Sequence, residues 1–365
     1  MKLSATRETL LKPLQAVIGV VERRQTMPIL ANVLLVAKNG QLAVTATDLE
    51  VELVASADVE VDTAGEVTVP GRKLLDICRA LPDKANVSIS QSGEKLSIRS
   101  GRSKFSLTTL PAAEFPTVED INSSQTVEVP QSILVRLLEK THFSMAQQDV
   151  RYYLNGLLLE TGDKFLRAVA TDGHRLALCQ QEVIGAKLSE QQVIVPRKGV
   201  LELQRLLSGE GAVALEFGSN HIRVQLDGIR FTSKLIDGKF PEYERVIPQD
   251  TSNQLSADRL LLRNALQRTA ILSNEKYRGI RLVIRDSGVM IQAHNPEQEE
   301  AEEEIEVAYS GADIEIGFNV NYLLDALGAI EADQVTFSVQ DSNSSCLLRE
   351  PDSDDTRFVV MPMRL

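Results

Sequence analysis

The apolar positions of the chain follow two alternating periods, and the alternation itself recurs. Leu10, Leu11, Leu14, Val17 and Ile18 fall at helical spacing and predict a helix over residues 7–24. The same spacing at Leu134, Leu137 and Leu138 predicts a helix over 131–145. At Leu260, Leu261, Leu266 and Ile271 it predicts one over 257–273. Pro13 falls inside the first helix, where it is expected to bend it. Period-two runs follow each opening helix, as at 32–37 with 41–45 and 157–160 with 165–170, paired through Gly-containing turns. A second, shorter helical pattern then appears at 72–81, 197–207 and 320–330, and each is followed by further hairpins.

Three markers show that this grammar is a threefold repeat. Ala46-Thr47-Asp48 returns as Ala170-Thr171-Asp172 and, degenerately, as Ala293-His294-Asn295. Val69-Pro70 returns as Val195-Pro196 and as Gly317-Phe318-Asn319, and Phe115-Pro116 as Phe240-Pro241 and Met361-Pro362. Any one of these recurs by chance in a long chain, but three in the same order at a spacing of about 121–126 residues mark an internal repeat. Polar, turn-rich stretches separate the copies and divide the chain into domains at 1–122, 128–247 and 253–365. Each is long enough for one core. The expected class is α+β, with two helices on antiparallel sheets in every domain.

Composition narrows the function. The 365 residues are 43% hydrophobic and 25% charged, the balance of an ordered globular chain. With no Trp and 4% aromatics, the core is expected to be mainly Leu, Val, Ile and Ala. Cys78, Cys179 and Cys346 lie far apart with no CxxC, which argues against a disulfide framework or a Cys-rich zinc site and suits a reducing cytosol. The start MKLSATRETLLKPLQ reads as neither leader nor membrane span, so a cytoplasmic location is expected. Lys+Arg total 39 and Asp+Glu 51, a net charge of −12. Yet the six predicted helices hold 15 basic and seven acidic residues, leaving −20 for the rest. Glu favours helices as much as Lys and Arg do, so the bias is not a propensity effect. Helices sharing one surface would make it attractive to phosphate.

Longer stretches then carry a resemblance. TATDLEVEL (45–53), RSGRSKFSLTTLPAAEFP (99–116), FSMAQQDVRYYLNG (143–156), VATDGHRLA (169–177), VIVPRKGV (193–200), ILSNEKYRG (271–279), NPEQEEAEE (295–303) and the terminal VVMPMRL (359–365) resemble the bacterial DNA polymerase III β subunit family, the sliding clamps, over the whole length. The resemblance implies three domains of the DNA-clamp fold and two chains closed head to tail into a ring around duplex DNA, bound without regard to sequence. It implies DNA contacts at Arg24, Gln148, Tyr152, Tyr153, Arg197 and Lys198, the tyrosines stacking on single-stranded bases. A closing contact of two unlike surfaces would set Lys73, Lys95, Arg102 and Lys104, with Phe105 and Leu107, against Glu297, Glu299, Glu300, Glu302, Glu303 and Glu304, with Ile271 and Leu272. Short apolar peptides of the clamp loader, the replicative polymerase subunit, other polymerases and repair proteins would dock at Leu154, Thr171, Gly173, His174, Arg175, Leu176, Pro241, Arg245, Val246, Ser345, Val359, Val360, Met361, Pro362, Met363, Arg364 and Leu365. Met-rich surfaces suit several partners.

Other readings of the same residues remain. Alone, the glutamate run reads as a solvated face, and Ile271 and Leu272 as core. His294 with these glutamates lacks the convergent ligands of a metal site. Asp172 and His174 are spaced for an acid–base pair, which would make the chain a metal-dependent or acid–base hydrolase of nucleic acid. No GxSxG, P-loop or HExxH accompanies them. The expectation is therefore a non-catalytic protein, without catalytic residues, metal or cofactor.

Overall fold

The computed structural model describes residues 1–22, 27–118, 121, 123–184, 188–249 and 253–364. Among the described residues, six α-helices form where the spacing predicts them: α1 (Arg7–Val17), α2 (Gly71–Ala80), α3 (Gln131–Thr141), α4 (Arg197–Leu206), α5 (Arg259–Thr269) and α6 (Val320–Ala329). The three opening helices are shorter than their apolar periodicity. Each passes into a 3₁₀ turn, at Ile18–Val20, His142–Ser144 and Ala270–Leu272. Three residues per turn keep a similar apolar spacing, so periodicity alone overruns the α-helical end. Thr6, Asp258 and Asn319 cap α1, α5 and α6 through their side-chain oxygens.

The repeat is visible in single hydrogen bonds. The amides of Arg7, Gln131 and Arg259 open the three first helices and donate to the carbonyls of Ala85 (2.8 Å), Gly211 (2.9 Å) and Asp333 (2.8 Å). Their side chains reach the end of the second helix in the same repeat. Arg7 donates to the Cys78 and Arg79 carbonyls, and Arg259 to those of Leu327 and Ala332. Gln131 instead accepts from the Ser208 amide. Each satisfies polar groups that a helix terminus leaves unpaired.

The chain divides into two compact units. The first comprises Met1–Ser132 and Lys198–Leu235, the second Ile133–Arg197 and Ile236–Leu365, so the middle repeat is shared between them. In the first unit, an antiparallel eight-stranded sheet runs in the order Ser123–Pro130, Ala212–Gly218, His221–Leu226, Ile229–Lys234, Val51–Asp58, Gln41–Thr47, Asn32–Lys38, Gly65–Pro70. A five-stranded sheet runs Glu60–Thr63, Lys2–Thr6, Asn86–Ser92, Lys95–Ser100, Ser103–Thr108. In the second unit, the eight-stranded sheet runs Gln191–Pro196, Gly156–Gly162, Phe165–Thr171, Arg175–Glu182, Thr356–Val360, Cys346–Arg349, Gln334–Ser338, Gln254–Asp258. A four-stranded sheet runs Glu300–Glu306, Gly288–His294, Gly279–Arg285, Ile314–Asn319.

Both eight-stranded sheets cross a repeat boundary by one strand pair. Ile229–Lys234 pairs with Val51–Asp58, placing Phe231 opposite Leu53. Thr356–Val360 pairs with Arg175–Glu182, placing Phe358 opposite Ala177. The smaller sheets end instead on open edges, Ser103–Thr108 in one and Glu300–Glu306 in the other.

Leu, Val, Ile and Ala fill most of the core as composition predicts, but the largest fully buried side chains are Phe217, Phe231, Phe318 and Phe358. The three cysteines are free and buried, and burial pushes the Cys78 thiol up to about 11. No helix among the described residues is long and apolar enough to cross a membrane.

Candidate functional site

Many helix cations are already paired within the chain. In the first unit, Lys198 at the start of α4 pairs with Asp48 and with Glu22 (3.2 Å). Arg205, one helix length on, donates to the Gln15 and Ala16 carbonyls near the end of α1 and pairs with Glu202 at 2.9 Å. The Glu202 carboxylate packs into the space left by Gly19, where a Cβ would stand. In the second unit, Arg136 and buried Lys140 converge on Glu331, and Lys140 also donates to the Ala329 carbonyl at the end of α6. Arg268 forks onto Glu303. Lys12, Lys73, Arg79 and Arg263 make no ion pair among the described residues. The sequence count of 15 helix cations therefore overstates the charge left for phosphate, and Lys198 in particular is engaged.

The expected peptide positions lie in the second unit on one sheet and the segments beside it. Leu176 and Val359 face each other across the strand pair and are buried with Leu158, Val169, Leu178, Phe240, Tyr243 and Ile247. Thr171 holds the turn by donating to the Arg175 carbonyl at 2.6 Å. Leu154 is buried. Pro241, Arg245, Val246, His174 and Arg364 are exposed, and Gly173, Arg175, Ser345, Met361, Pro362 and Met363 are half-buried. Val360, 1% exposed, lies on the other face of its strand from Val359, in the cluster with Ala177 and Phe358. Successive side chains of a strand point to opposite faces. The tail is tied at two points, by the Met361 amide to the His174 carbonyl and the Met363 amide to the Gly317 carbonyl, both 2.9 Å. Leu365 lies outside the described residues.

Polar contacts fix the walls. Tyr243 donates to Glu160 and accepts from Arg167 at 2.7 Å, anchoring the segment that carries Pro241, Arg245 and Val246. Burial first, then the Glu160 bond, pushes the Tyr243 phenol above its ordinary range. Arg175 is fully committed. It pairs with Asp172 and Asp325, donates to the Phe143 carbonyl, and lies over the Tyr322 ring at 4.5 Å. A polar cavity of about 270 Å³ adjoins, lined by Arg167, Gln180, Tyr243, Asp354 and Arg357 among others.

The nucleic-acid positions divide similarly. Arg24 lies outside the described residues. Gln148 is exposed with φ 56°, and Tyr152 is 58% exposed. Tyr153 packs against the apolar cluster beneath the groove, so it anchors Tyr152, which meets it edge-on at 5.8 Å. Arg197 is half-buried; burial, then the nearby Arg175, pushes its guanidinium down.

Lys104 on the open edge, Arg102 in the turn before it, Lys95 on the neighbouring strand and Lys73 on α2 are all exposed. Phe105 is half-buried, whereas Leu107 is buried, facing Leu96. Ile271 is 75% exposed and Leu272 half-buried. Glu297, Glu299, Glu300, Glu302 and Glu304 are exposed, but Glu303 alternates inward and is held ionised by Arg268. No metal-holding cluster occurs among the described residues. The Asp172 carboxylate receives the His174 and Arg175 amides and the Arg175 side chain, so no Asp–His dyad is assembled.

Family models described as the DNA polymerase III beta subunit N-terminal, central and C-terminal domains match residues 1–119, 128–242 and 244–364. A beta sliding clamp of Pseudomonas putida is 57% identical over 100% of both chains. The crystal structure of the DNA polymerase III subunit beta from Pseudomonas aeruginosa superposes with a TM-score of 0.98 at 56% identity, covering 100% of both chains. A sliding clamp from the same organism bound to griselimycin gives 0.97 at 56% identity and the same coverage.

Proposed function

The chain belongs to the DNA polymerase III beta subunit family and is a DNA sliding clamp, and from this premise we propose that two copies close head to tail into a ring around duplex DNA. The repeat supplies the supporting observation. Ala46 faces Leu53, Ala170 faces Ala177, and Ala293 faces Ala301, so these three partners hold one structural place. Their neighbours across the repeat boundary are Phe231 and Phe358, each preceded by arginine. In the first repeat the matching pair is Lys104-Phe105, on an open edge. Phe231 and Phe358 are 0% and 1% exposed, while Phe105 is left half-buried.

A second copy completes the series by laying Ala301 opposite Phe105. That antiparallel register sets Glu302 against Lys104 and Glu304 against Arg102. It joins the four- and five-stranded sheets into one resembling the two complete ones, and covers edges that would otherwise invite aggregation. The same contact repeated at the other end closes the ring.

Capture is then mechanical. Loose phosphate attraction lets the ring slide, and dissociation requires opening. The surface around Leu176, Val359, Pro241, Val246 and the Met361–Arg364 tail takes short apolar peptides of the clamp loader, polymerases and repair proteins. Arg197 and Tyr152 contact DNA, and Arg24 belongs with them by resemblance. The chain acts without catalysis in the cytoplasm. Retention on nicked circular plasmid and release on linearisation is the deciding test; equal retention on linear DNA would refute encirclement.

A further inference from the structure

Residues 146–155 form a loop stitched to itself. The Ala146 amide donates to the Leu154 carbonyl, the Asp149 amide to Asn155 Oδ1, and Asn155 Nδ2 back to the Asp149 carbonyl. Asp149 grips Arg151 three ways: through its amide (2.8 Å), Nε (3.0 Å) and Nη2 (2.9 Å). Held in this fork, the guanidinium sits over Gly173. A Cβ there would lie 2.8–3.2 Å from Arg151 Nη2, Nη1 and Cζ, and Gly173 has φ +88°. Arg151 Nη2 also donates to the Asp172 carbonyl at 3.3 Å. The missing side chain of Gly173 is thus a notch filled by Arg151. Elsewhere along the same loop, Gly238 leaves its Cβ position 3.5 Å from the Tyr152 ring and 3.8 Å from Tyr153 Cβ.

We propose that Arg151 is a positioning residue for the peptide groove: its Asp149-held guanidinium fills the Gly173 notch and fixes the Asp172–Arg175 turn that forms one wall. The inference rests on the groove reading above. Arg151 acts through the turn, so its role requires Asp149 as much as itself. A lysine at 151 keeps the charge but not the planar fork.

The test is a double-mutant cycle on the full-length clamp. Its two readouts are amide exchange at Gly173 and His174 without ligand, and the affinity of a fluorescein-labelled Leu-Leu-Phe peptide. Arg151→Ala, Arg151→Lys and Asp149→Asn each speed exchange at the turn and weaken peptide binding about tenfold, and Asp149→Asn/Arg151→Ala is no worse than either single change. Unchanged exchange at Gly173 and His174 in Arg151→Ala, or additive losses in the double variant, overturns the proposal. Failure of the unmodified clamp to bind peptide while exchange responds to Arg151→Ala removes the groove reading and leaves the bracing of the turn.

Discussion

Phe231 faces Leu53 across the strand pair that carries the first repeat into the second. Phe358 faces Ala177 at the next boundary. An aromatic side chain buried against an aliphatic one thus seals each internal joint, and Phe105, paired with Ile98 on one side, is the copy whose strand ends its sheet on the other. Phe105→Ala should weaken self-association by about 2 kcal/mol, as expected for a central interface anchor, without unfolding the protomer. Sedimentation equilibrium checks this, and Ile271→Ala with Leu272→Ala should likewise give folded monomers.

The proposed register can be tested by charge exchange. Lys104→Glu should loosen the dimer about tenfold, and Glu302→Lys in the same chain should restore it, because each change reverses one side of the same pair. A second-site reversal at Glu303 should not rescue, since Glu303 is bound to Arg268 within its own chain.

Lys198 and the unpaired helix cations should separate in DNA binding. Removing Lys12 or Arg263 should each reduce the slope of log affinity against log salt by about one. Lys198→Ala should barely change that slope. It should instead cost about 1 kcal/mol in the first unit's stability, because Asp48 loses its cation while keeping the Glu50 and Val51 amides. Salt titrations and urea unfolding distinguish the outcomes.

Glu52 gives a pH signature. It is 2% exposed, its carboxylate accepting the Val118 amide at 2.8 Å. Burial dominates and raises its folded pKa above the ordinary 4.5. The folded state therefore binds more protons between the unfolded and folded values, and stability falls as pH rises through that window. Glu52→Gln keeps an acceptor for Val118 and should remove the fall, measured by urea midpoints from pH 4 upward.

Deleting residues 361–365 should preserve the dimer and abolish capture of apolar peptides. It removes the tail bonded to His174 and Gly317 while sparing the open edges. Peptide titration beside sedimentation reads both.

Much of this was legible from residues alone. The six helices follow from apolar spacing and the repeat from its three markers. Ala301 and Phe105 required pairing register, which no linear pattern states. The ion pairing of Lys198 was hidden for a different reason. Its partners Asp48 and Glu22 are remote in sequence, and charge counting cannot see a pair made across a fold. Val360 was legible in principle, since a strand through Val359 must turn its neighbour to the other side.

The eight-stranded sheets that run through the repeat boundaries also limit how the molecule can be taken apart. An excised middle third would lose the neighbouring ladder on both flanks, and its own two halves reside in different compact bodies. The repeat is therefore written in the sequence, but modular independence has been given up: the middle copy draws its strand partners from the first copy in one unit and from the third in the other.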